Sequence, residues 1–169
     1  YMRAYYSDEL RDFIQNESNT ILGQLTQKHS HALEELQKNA WLKQISILQN
    51  QLASFVHGHL FFEFSIPRMG KRVDNVLIIN DLILVLEFKV GDTNYPKHAI
   101  EQVMDYALDL KNFHEGSHQA KLIPILISTR APAKENILVR YQDNLFAPLF
   151  ANENNLSEII TLCLEVSSN

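Results

Sequence analysis

Apolar positions fall into two rhythms along the chain. Through residues 7–57 they recur at helical spacing. In "AWLKQISILQNQLASFV" (40–56), Trp41, Leu42, Ile45, Leu48, Leu52, Phe55 and Val56 form one stripe. That pattern predicts an amphipathic helix packed on a sheet. The more polar stretch before it, 7–37, predicts a helical hairpin. It defines an N-terminal helical extension over 1–38, ahead of one compact unit at 39–169.

From His59 the rhythm shortens to that of strands. "LFFEFSI" (60–66) is aromatic and strand-like, and "PRMG" after it has turn chemistry. "RVDNVLII" (72–79) and "LILVLEFK" (82–89) are strand-like runs joined by Asn80-Asp81, whose residue types tolerate the positive φ of a primed hairpin turn. "GDTNYP" (91–96) predicts a loop, with Pro96 placed to open a helix. Over 98–113, Ala99, Ile100, Val103, Tyr106, Ala107 and Leu110 make the apolar stripe of that helix. "KLIPILIST" (121–129) reads as a buried parallel strand in which Pro124 marks a lapse in the ladder. Strand 82–89, helix 98–113 and strand 122–128 make a right-handed βαβ crossover. A last strand near 136–141 and a helix near 155–166 follow. The order is αβββαβ with a β/α tail, an α/β fold with a mixed sheet flanked by helices.

The hairpin fixes where the charges go. With the turn centred between Asn80 and Asp81, Ile79 faces Leu82, Val76 faces Val85, Asp74 faces Glu87 and Arg72 faces Lys89. Side chains alternate, so Arg72, Asp74, Glu87 and Lys89 share one face at one end of an apolar strand pair. Two carboxylates placed opposite each other repel. A divalent cation with carboxylate ligands relieves that, and a salt-bridge cluster with Arg72 and Lys89 is the other way. If "PRMG" is a four-residue loop, Glu63 faces Asp74 and makes a third acid in the row; a bulge would turn it outward as an ordinary exposed strand residue.

Length, composition and charge narrow the chemistry. The 169 residues are 46% hydrophobic and 21% charged, which suits one globular domain. A net charge of −5 argues against coating nucleic acid by bulk charge, so any such contact needs a local basic patch. The single cysteine, Cys163, excludes an internal disulfide framework or a cysteine-based zinc site, and on an apolar helix it reads as a packing residue. No apolar run reaches the roughly 18 residues of a membrane helix. With no leader visible, the chain reads as cytoplasmic and without a membrane partner.

Asp74, then twelve residues, then Glu87-Phe88-Lys89, resembles the signature of the PD-(D/E)xK nuclease superfamily, the restriction-endonuclease-like fold. The αβββαβ order is similar to its core. The resemblance implies that Asp74 and Glu87 bind Mg²⁺ or Mn²⁺, with the Phe88 carbonyl as a further ligand; Glu63, placed beside them by the hairpin register, joins the metal ligands only if it substitutes for the family's first-helix acid. It also implies that Lys89 orients or activates the attacking water. "QVMDY" resembles the Q-x-x-x-Y element of the RecB-like branch and lands on Gln102 and Tyr106, four apart on one helical face, where packing is the plainer role for either. Arg72-Val73 stands where the superfamily's proline would precede Asp74. The acid common on the first core helix is not evident among Gln44, Gln51, Glu34 and Glu35.

The longer run through "DYALDLKNFHEGSH" resembles the N-terminal segment of bacterial proteins that continue into a P-loop helicase-type ATPase. No Walker A sequence occurs in this chain, so such a region would lie outside it. Arg68, Lys71 and Arg72 bracket the acids and offer phosphate contacts, unless "PRMGK" is only a solvated turn. His114 and His118 are four apart, but Gly116 between them suggests a helix ending and surface histidines. His57 and His59 have no evident third ligand. The expected function is metal-dependent phosphodiester hydrolysis, in DNA rather than RNA. A non-catalytic docking module on the same fold, or hydrolysis of a smaller phosphate ester, are the other readings.

Overall fold

The computed structural model describes residues 3–29, 35–66, 70–113 and 119–168. The elements in chain order are β1 (Tyr6–Glu9), α1 (Leu10–Gln15), α2 (Ser18–Lys28), α3 (Glu35–Gln51), β2 (His59–Ile66), β3 (Lys71–Ile79), β4 (Leu82–Lys89), α4 (Lys97–Phe113), β5 (Lys121–Ser128), β6 (Leu149–Ala151) and α5 (Leu156–Leu164). The strands form one mixed sheet in the order β1-β2-β3-β4-β5-β6. β1 to β4 pair antiparallel, whereas β4-β5 and β5-β6 are parallel.

Each face of the sheet buries a separate apolar cluster. On one face Phe13, Ile21, Trp41, Ile45, Leu48, Leu60, Phe62, Leu84, Leu86, Ile125 and Ile160 are fully enclosed, so α1, α2, α3 and α5 cover that side. On the other, Val103, Tyr106, Ala107 and Leu110 of α4 pack on Val76, Val85, Leu122 and Leu126. Each large side chain removed from water contributes about 1.5–3 kcal/mol, which is why both helix layers stay docked. The continuous apolar run of β5 is buried at every position, as a parallel strand covered on both faces must be.

Four local expectations are revised. Tyr6–Glu9 is a strand, because its backbone completes the sheet beside β2 and not because "YSDE" carries strand periodicity. α3 ends at Gln51, leaving Phe55 and Val56 in the loop, with Val56 63% exposed. Residues 136–141 do not form a strand. Ile137 and Val139 are exposed, and only Arg140 makes a bridge, to Phe146, so the last strand is β6. Pro124 sits in register with Val85, so the β4 side of the ladder is unbroken. The lapse falls on the other side, between the Leu122–Leu145 bridge and the start of β6 pairing at Ile125.

The Asn80-Asp81 turn is tied down at the end of the sheet remote from Asp74 and Glu87. Asn80 takes a φ of 53°. Asp81 accepts from Lys121 Nζ at 2.7 Å and from Ser167 Oγ at 2.8 Å. Those partners hold the Asp81 carboxyl well below the usual carboxylate range. The pin joins the hairpin, the first residue of β5 and the segment after α5.

Candidate active site

The β3-β4 ladder runs from Ile79↔Leu82 to Asn75↔Leu86 and stops there. At the next position the acids replace the rungs. The Asp74 N–H donates to Glu87 Oε1 at 3.2 Å, and the Phe88 N–H donates to Asp74 Oδ2 at 2.8 Å. In the β2-β3 pair, Phe62↔Asn75 and Phe64↔Val73 leave Glu63 and Asp74 facing each other between them. Glu63, Asp74 and Glu87 therefore stand in a row across three strands.

Glu63 pays for its place with its backbone. It lies at φ 54°, a left-handed conformation unusual for a non-glycine residue and rarer still inside a strand. The register is unchanged on either side, so no residue is inserted, but the strand reverses its faces. Leu60 and Phe62 point to the α3 side, whereas Phe64 and Ile66 join the α4 side. The Glu63 carbonyl is held by Arg72 Nη1 at 2.8 Å. Strain of this kind costs on the order of 1 kcal/mol or more and marks a position the surroundings dictate. Glu63→Gly is expected to be more stable than Glu63→Ala by about 1 kcal/mol in denaturant titrations, since both lack the carboxyl and only glycine relaxes the backbone. A glycine variant no more stable than alanine would show the conformation to be unstrained.

Arg72 does not stand beside Lys89. Its guanidinium donates to the carbonyls of Glu63 and Arg3 and lies 4.3 Å from the centre of the Tyr5 ring. Val73 and Val76, three residues apart, both pack on the α4 side, so β3 too changes faces here and strict alternation no longer sets Arg72 beside Lys89. A salt-bridge cluster of Arg72 and Lys89 neutralising the acids is therefore not what is built. Lys71 is exposed and does reach the cleft described below. Arg68 lies outside the described residues, as do Glu34, His114 and His118.

The row is electrostatically loaded. Burial first, then the charge of Asp74, pushes Glu63 up to about 8, with Arg72 pulling the other way. Burial and then Asp74 push Glu87 up to about 9. Asp74 is raised by burial against the pull of the Phe88 N–H, the Glu87 carboxyl and Lys89. Burial disfavours the charged form of both Asp74 and Glu87, and the Asp74 charge disfavours that of Glu87 further.

α4 supplies the opposite wall. Lys89 Nζ donates to Gln102 Oε1 at 3.4 Å, and Gln102 Nε2 donates to Tyr106 Oη at 3.0 Å. Burial and the charges of Glu87, Asp74 and Glu63 push the Tyr106 phenol up to about 12. A cleft of about 340 Å³ opens here between Lys71, Lys89, His98, Gln102 and Tyr106, with Glu101 and Asp105 on its helical rim. The sequence reading did not single out His98. The signal was present, because His98, Gln102 and Tyr106 repeat at intervals of four and share one helical face. The other candidates lie elsewhere. Gln44 of α3 is buried with Oε1 unpartnered, Glu35 is exposed, and Gln51 accepts from the Ser157 N–H at 2.9 Å. His57 is exposed, His59 stacks near Phe61 at 4.8 Å, and Cys163 is fully buried.

The donor types suit a hard divalent cation: carboxylate oxygens crowded together, short of positive charge, beside the Phe88 carbonyl. In their present arrangement Asp74 and Glu87 each accept a backbone N–H. Among the described residues no three His, Cys, Asp or Glu side chains already surround a common point. Cation binding would have to compete with those N–H groups and re-aim the carboxyls. Also among the described residues, no helix is long and apolar enough to cross a membrane. No family model, curated protein or solved structure matches the chain.

Proposed function

We propose that the chain is a metal-dependent nuclease domain of the restriction-endonuclease-like fold, hydrolysing phosphodiester bonds in DNA. The observation that carries this reading is the row Glu63-Asp74-Glu87 set against the linked Lys89, Gln102 and Tyr106. Asp74, Glu87, the Phe88 carbonyl and Glu63 would hold Mg²⁺ or Mn²⁺. That ion supplies a more acidic water and neutralises charge on the phosphoryl group. The protein's own groups do the rest. Lys89 places a fixed positive charge beside the acids, where it steadies the attacking water and the charge that develops on phosphate. Gln102 restrains the Lys89 ammonium, and Tyr106 restrains Gln102. Lys71, and Arg68 by its sequence position, would meet flanking phosphates, while Arg72 braces Glu63. In line with the sequence resemblance, a helicase-type ATPase region outside this chain would work alongside it.

The second reading is a docking module on the same fold. It is favoured by the acids' satisfaction through backbone N–H groups and by the lack of a ready three-ligand set among the described residues. The two separate on one assay: single- and double-stranded DNA and RNA incubated with Mg²⁺, Mn²⁺ or EDTA, using wild type and Lys89→Ala. Metal-dependent DNA cleavage, lowered about a hundredfold or more by Lys89→Ala, supports the nuclease. Cleavage unchanged by Lys89→Ala, or no cleavage with no metal uptake by calorimetry, overturns it.

A further inference from the structure

The acid row does not end in polar protein on both sides. On the outward side it meets the cleft of Lys71, Lys89 and His98. On the inward side the next cross-strand row, Phe61↔Val76↔Val85, is apolar, and the one after it, His59↔Ile78↔Ile83, is apolar but for His59. A second cleft of about 330 Å³ opens over them, lined by Phe61, Phe64, Val76, Ile78, Ile83 and Leu110, with exposed Arg3 at its rim. One face of α4 borders both clefts, because His98, Gln102 and Tyr106 line the first and Leu110, the next residue at that spacing, lines the second. Taken together the two clefts form a groove along this face of α4, polar at one end and apolar at the other; the acid row lies between them and lines neither.

We infer that the apolar half of this groove takes the base of the nucleotide next to the scissile phosphate, so the substrate must present an unpaired nucleotide there. This rests on the nuclease reading. Three observations point to a base over other apolar occupants. The cleft starts two residues from Asp74 along β3, one nucleotide's reach from the acids. Two of its walls are aromatic: Phe61 and Phe64 meet edge-to-face at 5.5 Å, and their rings offer stacking surface indifferent to base identity. Basic side chains stand at both ends of the groove, Arg3 at the apolar rim and Lys71 and Lys89 at the far end, where Glu101 and Asp105 occupy only the helical rim. A base still paired in a duplex could not enter between α4 and the hairpin, so an intact duplex would be a poor substrate.

The test is a single-stranded DNA oligonucleotide in which one abasic residue is walked across the main cleavage position. Cleavage is followed with Mg²⁺, and binding by fluorescence anisotropy with the Asp74→Asn protein in EDTA. An abasic residue at one specific neighbour of the scissile bond is expected to lower both cleavage and binding about tenfold or more, and elsewhere to have little effect. Intact duplex is expected to be cut far more slowly. Ile78→Asp, at the exposed edge of the cleft where folding is least at risk, is expected to weaken binding of the intact strand and leave that of the abasic strand unchanged. Binding and cleavage insensitive to every abasic position, or duplex cut as fast as single strand, overturns the base pocket while metal-dependent cleavage keeps the nuclease reading. Abasic-sensitive binding without cleavage keeps the pocket and removes the nuclease. A wild-type dimer that Ile78→Asp dissolves, with intact and abasic strands bound alike, would assign the cleft to a second copy and overturn the proposal.

Discussion

Asp74→Asn is expected to lower metal-dependent DNA cleavage about a thousandfold or more while leaving the metal-free protein at least as stable as the wild type above neutral pH. The two halves of that expectation come from the same atoms. Asparagine keeps an oxygen for the Phe88 N–H, now 2.8 Å from Asp74 Oδ2, so the end of the β3-β4 pair stays closed. Its amide can donate to the Glu87 carboxylate, where the wild type must share a proton or face a second charge. What is lost is the charge that would make position 74 a hard-cation ligand under the proposed function. Single-turnover cleavage and thermal melts in EDTA at pH 8 check both. Cleavage within tenfold of wild type would sink the assignment. A large drop in melting temperature would mean that Asp74 is mainly structural.

The second large effect is on stability. Glu63 and Glu87 are raised to about 8 and about 9, so between the ordinary carboxylate range and those values the folded chain holds protons that the unfolded chain has released. Stability is therefore fully present below about pH 4.5 as far as these groups are concerned, and is lost as pH rises through 8 and 9. Asp81 acts in the opposite sense, since its lowered value contributes stability that fades only in acid, so titrations above pH 5 isolate the acid row. The metal-free protein is expected to lose on the order of a few kcal/mol in urea titrations between pH 6 and 9.5. Glu87→Gln is expected to flatten the slope. Mg²⁺ is expected to restore more stability at pH 9 than at pH 6, because at the higher pH the ion displaces fewer protons. Stability that is flat or rising over this range in EDTA would contradict the crowding of the three acids.

Much of this geometry was legible because it is local. Asn80-Asp81 fixes the β3-β4 register, "PRMG" fixes the β2-β3 register, and alternation then puts the acids in a row. The α4 stripe and the all-apolar β5 were readable for the same reason, since each pattern belongs to one element. What the sequence hid depends on distant partners. Tyr6–Glu9 is a strand only because β2 offers a free edge, whereas "ILVRY", which has better strand propensity, meets residues 145–147 through a single bridge and leaves Ile137, Val139 and Tyr141 exposed. The left-handed Glu63 and the contacts of Arg72 with Tyr5 and the Arg3 carbonyl involve partners distant in the chain, which no spacing rule encodes.

The acids also act as fasteners. Where a β-ladder would have spent backbone carbonyls, the last closure between β3 and β4 uses one oxygen of Asp74 and one of Glu87. A cation bound here, as proposed, would compete with the amides of Asp74 and Phe88 for the same lone pairs. Occupancy and fraying of this strand end are therefore linked: a sheet fastened too tightly here would resist its own ligand, and one fastened too loosely would let the carboxyls spread. Tuning the grip of the site is, in this fold, the same act as tuning how far two strands come apart.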